Sequence, residues 1–201
     1  MLKIPSVLFV GAAGLDTLTF LESYPAEDAK VRALDQIVDG GGNAANSACS
    51  ASFLGVTSSL FCAIGEDAAS TLILGGLKSK GVDTSKVLHK PGNSGTTYVI
   101  VCQSTSTRTC IHSPLTTDLT YDDVDTTFGH FTDETWQQYN LIHFDSRHTE
   151  AAVALAKKAS AAGVLLTIDM EKIRAYVKEL LPFCDIIFTN QNFPASVSPA
   201  E

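Results

Sequence analysis

The chain predicts an α/β fold in which a parallel sheet is covered by helices and a few half-exposed strands lie outside the main core. Three observations carry this reading. From Leu141 onward, apolar strand-like runs alternate with helix-like runs across short links, as a parallel sheet with helical crossovers requires. A triple glycine, Gly40-Gly41-Gly42, opens an alanine-rich helical run directly. Residues 16–39 and 96–112 have mixed or alternating polarity, unlike the continuous apolar runs around them.

Taken in order, Val7–Val10 form a short apolar run ended by Gly11, which fits a buried first strand. TLTFLES and AKVRALDQIVD read as two half-exposed strands separated by the turn Tyr24-Pro25-Ala26-Glu27-Asp28. The run AANSACSASFLG then predicts a helix capped by Asn43 and stopped by Gly55. SSLFCAIG is a strand, and Glu66–Lys80 is a helix closed by Gly81. TTYVIVCQ and RTCIH make a hairpin around Ser104-Thr105-Ser106-Thr107. LIHFD is a strand, Thr149–Ala162 a helix, VLLTID a strand, Ile173–Leu181 a helix and DIIFTN a strand. The tail ASVSPAE reads as frayed.

Composition narrows the function. With 45% hydrophobic and 18% charged residues the chain is an ordinary globular protein, long enough for one substantial core. A formal net charge of −8 without a local Lys/Arg cluster argues against nucleic acid as partner, because that affinity rests on neutralising phosphates. Pro5 and two glycines interrupt the apolar start, so no membrane span is expected. The cysteines Cys49, Cys62, Cys102, Cys110 and Cys184 are odd in number and contain no C-x-x-C pair. They predict reduced thiols in a cytoplasmic protein, with neither a disulfide framework nor a zinc site.

In open parallel sheets, ligands sit beyond the carboxyl ends of the strands, here the loops after Val10, Gly65, Phe144, Asp169 and Thr189. At a helix start, glycines admit close backbone approach and the first amides point outward. Asn43 and Asn46 share one helix face and offer both donors and acceptors, as sugar hydroxyls require. From local features alone, a tight turn with a helix cap is the favoured alternative. Asp16 can accept two hydroxyls strongly, or be a solvated loop acid. Arg108 suits a phosphate, or is a surface arginine. Glu171, Lys172 and Arg174 stand on the ligand side, with Glu171 a weak metal- or nucleotide-side candidate against simple complementation of a helix dipole. His143 and His148 lack metal-ligand spacing, and His143 reads as a core histidine. No G-x-G-x-x-G, Walker loop or G-x-S-x-G is present.

Together these segments resemble the PfkB, ribokinase-like carbohydrate kinases, and within them the ketohexokinase branch. The resemblance rests on VGAAGLDTLTFLESYPAEDAKVRALDQIVDGGGNAANSACSASFLG, GVDTSKV, the TTYVIV…RTCIH hairpin, LIHFDSR, IDMEKIR and DIIF, in that order and over almost the whole chain. It implies one partial kinase domain over residues 1–201, with a core of 1–15, 41–95 and 113–201 and a β-sheet lid of about 16–40 and 96–112. It implies that Asp16, Gly41, Gly42, Asn43 and Asn46 bind a sugar, with fructose favoured, and that Arg108 contacts nucleotide phosphate. Asp28 would reach the sugar site of a second subunit in a homodimer paired through the lid strands. ATP and Mg2+ are the implied cofactors, and ATP-dependent phosphorylation of a sugar hydroxyl the implied reaction. Two departures qualify this. No glycine-rich G-A-G-D segment follows residue 190, so the catalytic base is missing, the C-terminal part of the domain is absent, and little transfer activity is expected of these residues alone. Asn190 is followed by Gln191, Asn192 and Phe193, so an N-x-x-E motif lacks its Glu and no metal ligand is assigned. The alternative is a non-catalytic sugar-binding or interaction protein derived from the family.

Overall fold

The computed structural model describes residues 4–191 and 193. Strand β1 (Ser6–Val10) leads directly into β2 (Gly14–Leu21), and β3 (Asp35–Gly41) precedes helix α1 (Asn43–Phe53). There follow β4 (Thr57–Gly65), α2 (Ala68–Ser79), β5 (Asp83–Lys90), β6 (Gly95–Cys102) and β7 (Thr107–Ser113). Two short helices, α3 (Tyr121–Phe128) and α4 (Asp133–Trp136), lead to β8 (Leu141–Phe144), α5 (Thr149–Ala161), β9 (Leu165–Met170), α6 (Val177–Leu180) and β10 (Ile186–Thr189).

Six of these strands form a wholly parallel sheet in the order β10-β9-β8-β1-β4-β5. Side chains of β1 alternate between two cores, as a strand covered on both faces must. Leu8 and Val10 join Phe61, Phe128, Phe144, Trp136 and Leu155 under α3 to α6. Phe9 points the other way, with Ala44, Ala48, Leu60, Ile64 and Leu77 under α1 and α2. The buried face of α1 is alanine, which lets its backbone lie close to the sheet and brings its first turn down onto the β1 end.

The other four strands form a separate sheet, β3-β2-β6-β7, with β2 and β6 parallel and the outer pairs antiparallel. β3 and β7 are almost wholly exposed. This second sheet projects from the carboxyl end of β1, and it overlaps the segments of mixed polarity, extending one or two residues beyond them at Gly14, Gly41, Gly95 and Ser113. Among the described residues, no helix is long and apolar enough to cross a membrane.

Several expectations need correction. Asn43 does not cap α1: Gly42 is the N-cap, no side chain caps the helix, and Asn43 is the first helical residue. The strand predicted from Ala29 begins only at Asp35, because the preceding residues run over the surface and only the Leu34 amide reaches β2, at Phe20 O. The helix expected over 173–181 is reduced to Val177–Leu180, followed by a 3-10 turn at Leu181–Phe183, where Pro182 cannot supply an amide to continue it. β5, α3 and α4 were not anticipated. The tail 195–201 lies outside the described residues, as does Asn192.

Candidate sugar and anion site

Beyond the β1 end, a cavity of about 860 Å³ opens between the two sheets. Its walls include Gly42, Asn43 and Asn46 from the start of α1, Asp16 from β2, Thr97 from β6, and Arg108 and His112 from β7. The loops after β8 and β9 add Arg147, His148 and Arg174. Size and polarity suit a small hydroxylated ligand with room for a second group.

The α1 wall is built by two close approaches. Gly42 has φ +93°, a conformation that side chains resist, and a Cβ there would overlap the Ala12 carbonyl and Ala13 Cα. Ala45 N donates to that same Ala12 carbonyl at 3.1 Å, so the glycine turn lies flat on the β1–β2 link. Gly41 serves a different need: a Cβ there would meet the Asp16 carboxylate. Asp16 therefore lies across Gly41, toward the first turn of α1. Asn43 and Asn46 follow at helical spacing on the same cavity.

One residue that fastens this wall was not singled out from sequence. Asp145, at the end of β8, is 3% exposed. Its Oδ2 accepts from Ala12 N at 2.8 Å and Ala44 N at 2.9 Å, and its Oδ1 from Arg147 N at 2.9 Å. Gly11, at φ +152°, leaves the space this carboxylate occupies. Three amides hold a buried charge that would otherwise be costly. They also tie the β1 link, α1 and the β8 loop to one point.

The loops after β8 and β9 bring two arginines, Arg147 and Arg174, to the lining. His148, buried at the α5 N-cap with φ +48°, places Nδ1 3.0 Å from Asp118 Oδ1. This bond, with Nδ1 donating, holds the Asp118 carboxyl below its usual range. The Leu119 amide also approaches Nδ1, at 3.4 Å, a marginal distance that would need the other tautomer, and the shorter contact decides the assignment. The His148 Nε2 and the Arg174 Nε are buried without a partner among the described residues. Burial first, and the neighbouring Arg147 second, lower the Arg174 pKa.

The sequence candidates thus divide. Asp16, Gly42, Asn43, Asn46 and Arg108 line one cavity, and Gly41 supports it from beneath Asp16. Asp28 is exposed in a left-handed turn, at φ +57°, and does not line the cavity. Glu171 and Lys172 are exposed outside it, whereas Arg174 lines it. His143 packs edge-on against Phe9 and Phe188, bonds Thr167 at 2.9 Å through Nδ1, and has its pKa lowered by burial. Asp118, Asp145 and Arg147 were missed, and only the position of the last two, after a strand end, signalled them.

The arrangement is that of the ribokinase-like α/β fold. It superposes on the structure of Arabidopsis thaliana ribokinase complexed with ribose and ATP with a TM-score of 0.72, at 22% identity, over 94% of this chain and 61% of that one. Residues 5–192 match the pfkB family carbohydrate kinase profile, and the chain belongs to that family. It is 26% identical to ketohexokinase of Mus musculus over 199 residues, covering 92% of this chain and 63% of the relative. It is 25% identical to ATP-dependent ribose-1-phosphate kinase of Halopiger xanaduensis over 188 residues, covering 92% and 61%. The chain therefore spans about three-fifths of the length of the curated relatives it matches.

Proposed function

We propose that this chain carries the acceptor-binding part of an ATP-dependent carbohydrate kinase. The observation that supports this most is the convergence of Asp16, Asn43 and Asn46 on one cavity. In this reading the Asp16 carboxylate accepts hydrogen bonds from two adjacent hydroxyls, and the two carboxamides fix the remaining hydroxyls by donating and accepting. A polyol held at several points presents one hydroxyl in a defined direction, and positioning of this kind is most of what phosphoryl transfer asks of a protein. ATP would supply the phosphoryl group. Arg108, exposed on the cavity wall with no side-chain partner among the described residues, suits one of its phosphates. Mg2+ would neutralise developing charge. The described residues contain no group of three His, Cys, Asp or Glu able to hold a metal, so they do not by themselves form its site.

The same reading makes the small sheet a lid that pairs with a second copy and brings Asp28 to the partner's cavity. Val38, Thr17, Tyr98 and Ile111 lie in one cross-strand row facing away from the cavity. Val38, Tyr98 and Ile111 in that row are 52%, 57% and 53% exposed, an apolar strip that a partner sheet would cover.

Fructose is the acceptor to test first. Calorimetric titration should show fructose binding, and Asp16→Asn or Asn43→Ala should weaken it by roughly tenfold or more, the scale of a lost hydrogen bond to a charged or buried group. Unchanged affinity in both variants would refute the assignment.

A further inference from the structure

The strand that brings Arg108, Cys110 and His112 to the cavity is an edge strand. Among the described residues β7 pairs with β6 alone, is exposed throughout, and runs straight into the link 114–120. Its position over the cavity therefore depends on how that link is anchored. On one side the link is zipped to the segment that precedes β6. Thr116 N donates to Asn93 O at 3.1 Å, Asn93 N to Thr116 Oγ1 at 2.9 Å, and Thr117 Oγ1 to Pro91 O at 2.9 Å. On the other side the polar anchor is Asp118, bonded to His148 Nδ1 at 3.0 Å just before Leu119 enters the core.

His148 is placed for that bond at some cost. It holds the N-cap position of α5, yet its ring caps no amide of that helix. It is 6% exposed, and Ser146 and His148 take left-handed φ values of +60° and +48° on either side of Arg147. Such backbone is unfavourable in residues other than glycine and persists where the surroundings fix it. Three residues before His148, Asp145 fastens the same loop to Ala12 and Ala44. One short loop thus carries two tethers, Asp145 to the wall of Asn43 and Asn46, and His148 to the root of β7. Asp118 also attracts Arg147 and Arg174 through space, so the second tether keeps a carboxylate beside both arginines.

We propose that His148 is a positioning residue of this site: through Asp118 it fixes the root of β7 to the β8–α5 loop, and so holds Arg108 in register with the wall of Asn43 and Asn46. The consequence for ligands rests on the function proposed above, whereas the tether itself does not. An acceptor on α1 and a phosphate on Arg108 meet productively only while the two walls keep their spacing, and a small misplacement is enough to lose that. His148 acts here through Asp118 and is assigned no contact with either ligand.

The test combines amide hydrogen exchange on the full chain with calorimetric titration by fructose and by ATP. His148→Leu removes the donor, and exchange over 107–120 should accelerate roughly three- to tenfold, the scale of one charge-assisted bond open to solvent at its Asp118 end. Exchange in β4 and β8 should stay at the parent rate. ATP affinity should fall by a similar factor, with fructose affinity changed less than about twofold. Asp118→Ala breaks the same bond from its exposed end, leaves position 148 intact, and should reproduce the faster exchange even if the leucine variant folds poorly. Adding His148→Leu to Asp118→Ala should then change exchange little, because the two act as one unit. His148→Asn is the conservative variant: it offers an N–H the same number of bonds from Cα and tolerates a left-handed φ, so it should recover most of both losses. Parent-like exchange in both His148→Leu and Asp118→Ala would overturn the proposal, as would faster exchange with ATP affinity unchanged, which would leave only a structural tie. A parent that binds fructose but not ATP would overturn the positioning role and leave the acceptor site standing. A parent that binds neither would remove the proposed function and this inference together.

Discussion

Asp145 shows how one buried side chain can organise a site it need not touch. Its two oxygens receive amides from three separate segments, and Gly11 and Gly42 are glycines because the chain must fold tightly around that knot. Asp145→Ala would leave three amides without their acceptor, one of them buried and two part-buried. At about 1–3 kcal/mol for each buried unsatisfied group, partly relieved by rearrangement and by water at the part-buried amides, the variant should lose about 2–3 kcal/mol of stability. A urea unfolding midpoint displaced by less than the equivalent of about 1 kcal/mol would show that the knot is not needed. Asp145→Asn is the informative companion. Its carbonyl oxygen can replace only one of the two acceptors, so it should fall between parent and alanine, with ligand affinity reduced because the α1 wall loosens.

Among elements, the junction of β4, α2 and β6 has a similar centre that responds to pH. Asp67 caps α2 by accepting from Ser70 N at 3.0 Å, and also accepts from Ser94 N at 2.8 Å and Ser94 Oγ at 2.7 Å. Ser94, in turn, accepts from Gly65 N at 2.9 Å, so one carboxylate joins both sheets through a buried hydroxyl. Burial alone would raise the Asp67 pKa, but the bonds from Ser94 and Ser70 outweigh it and the folded value is lowered. A depressed folded pKa stabilises the native state above the unfolded value near 3.8, and that contribution disappears as pH falls through the lower folded value. Between about pH 5 and pH 3, amide exchange at the α2 start and at Ser94 should accelerate, and Asp67→Asn should flatten this dependence while costing roughly 1 kcal/mol at neutral pH. Equal acceleration in parent and variant would dismiss the carboxylate as its cause. What the sequence discloses at this scale follows the strength of the local signal. The apolar strands of the large sheet and the Gly-stopped helices α1, α2 and α5 are legible because periodicity, caps and burial agree. α3 is missed although Thr120 and Asp123 form a capping box, since only Val124 and Phe128 bury an apolar face there. In the site, Asp16, Asn43 and Asn46 are legible from glycine spacing and the family resemblance. Asp118, Asp145 and Arg147 depend on contacts between distant segments, and a single chain prints no pattern for those.

At the scale of the whole molecule, two exposed apolar surfaces are candidates for the self-association proposed above. The first is the row Val38, Tyr98 and Ile111 on the back of the small sheet. The second is β10, whose Ile186, Ile187 and Phe188 are 45%, 46% and 53% exposed at an outer edge that no strand pairs among the described residues. Parallel strands are ordinarily covered on both faces, so this edge is a site for strand addition by another chain. The two surfaces predict different products. Pairing through the small sheet closes around a two-fold axis and stops at a dimer, whereas edge addition at β10 has no such requirement and gives larger, concentration-dependent species. Val38→Lys should therefore convert a dimer to monomer in sedimentation velocity and leave heavier material unaffected. Ile187→Lys with Phe188→Lys should do the reverse, removing the heavier species while the dimer persists. Both surfaces are half exposed already, so neither set of changes should unfold the chain. If β10 charges abolish the dimer and Val38→Lys does not, the small sheet is not the pairing surface, and Asp28 has no partner cavity to reach.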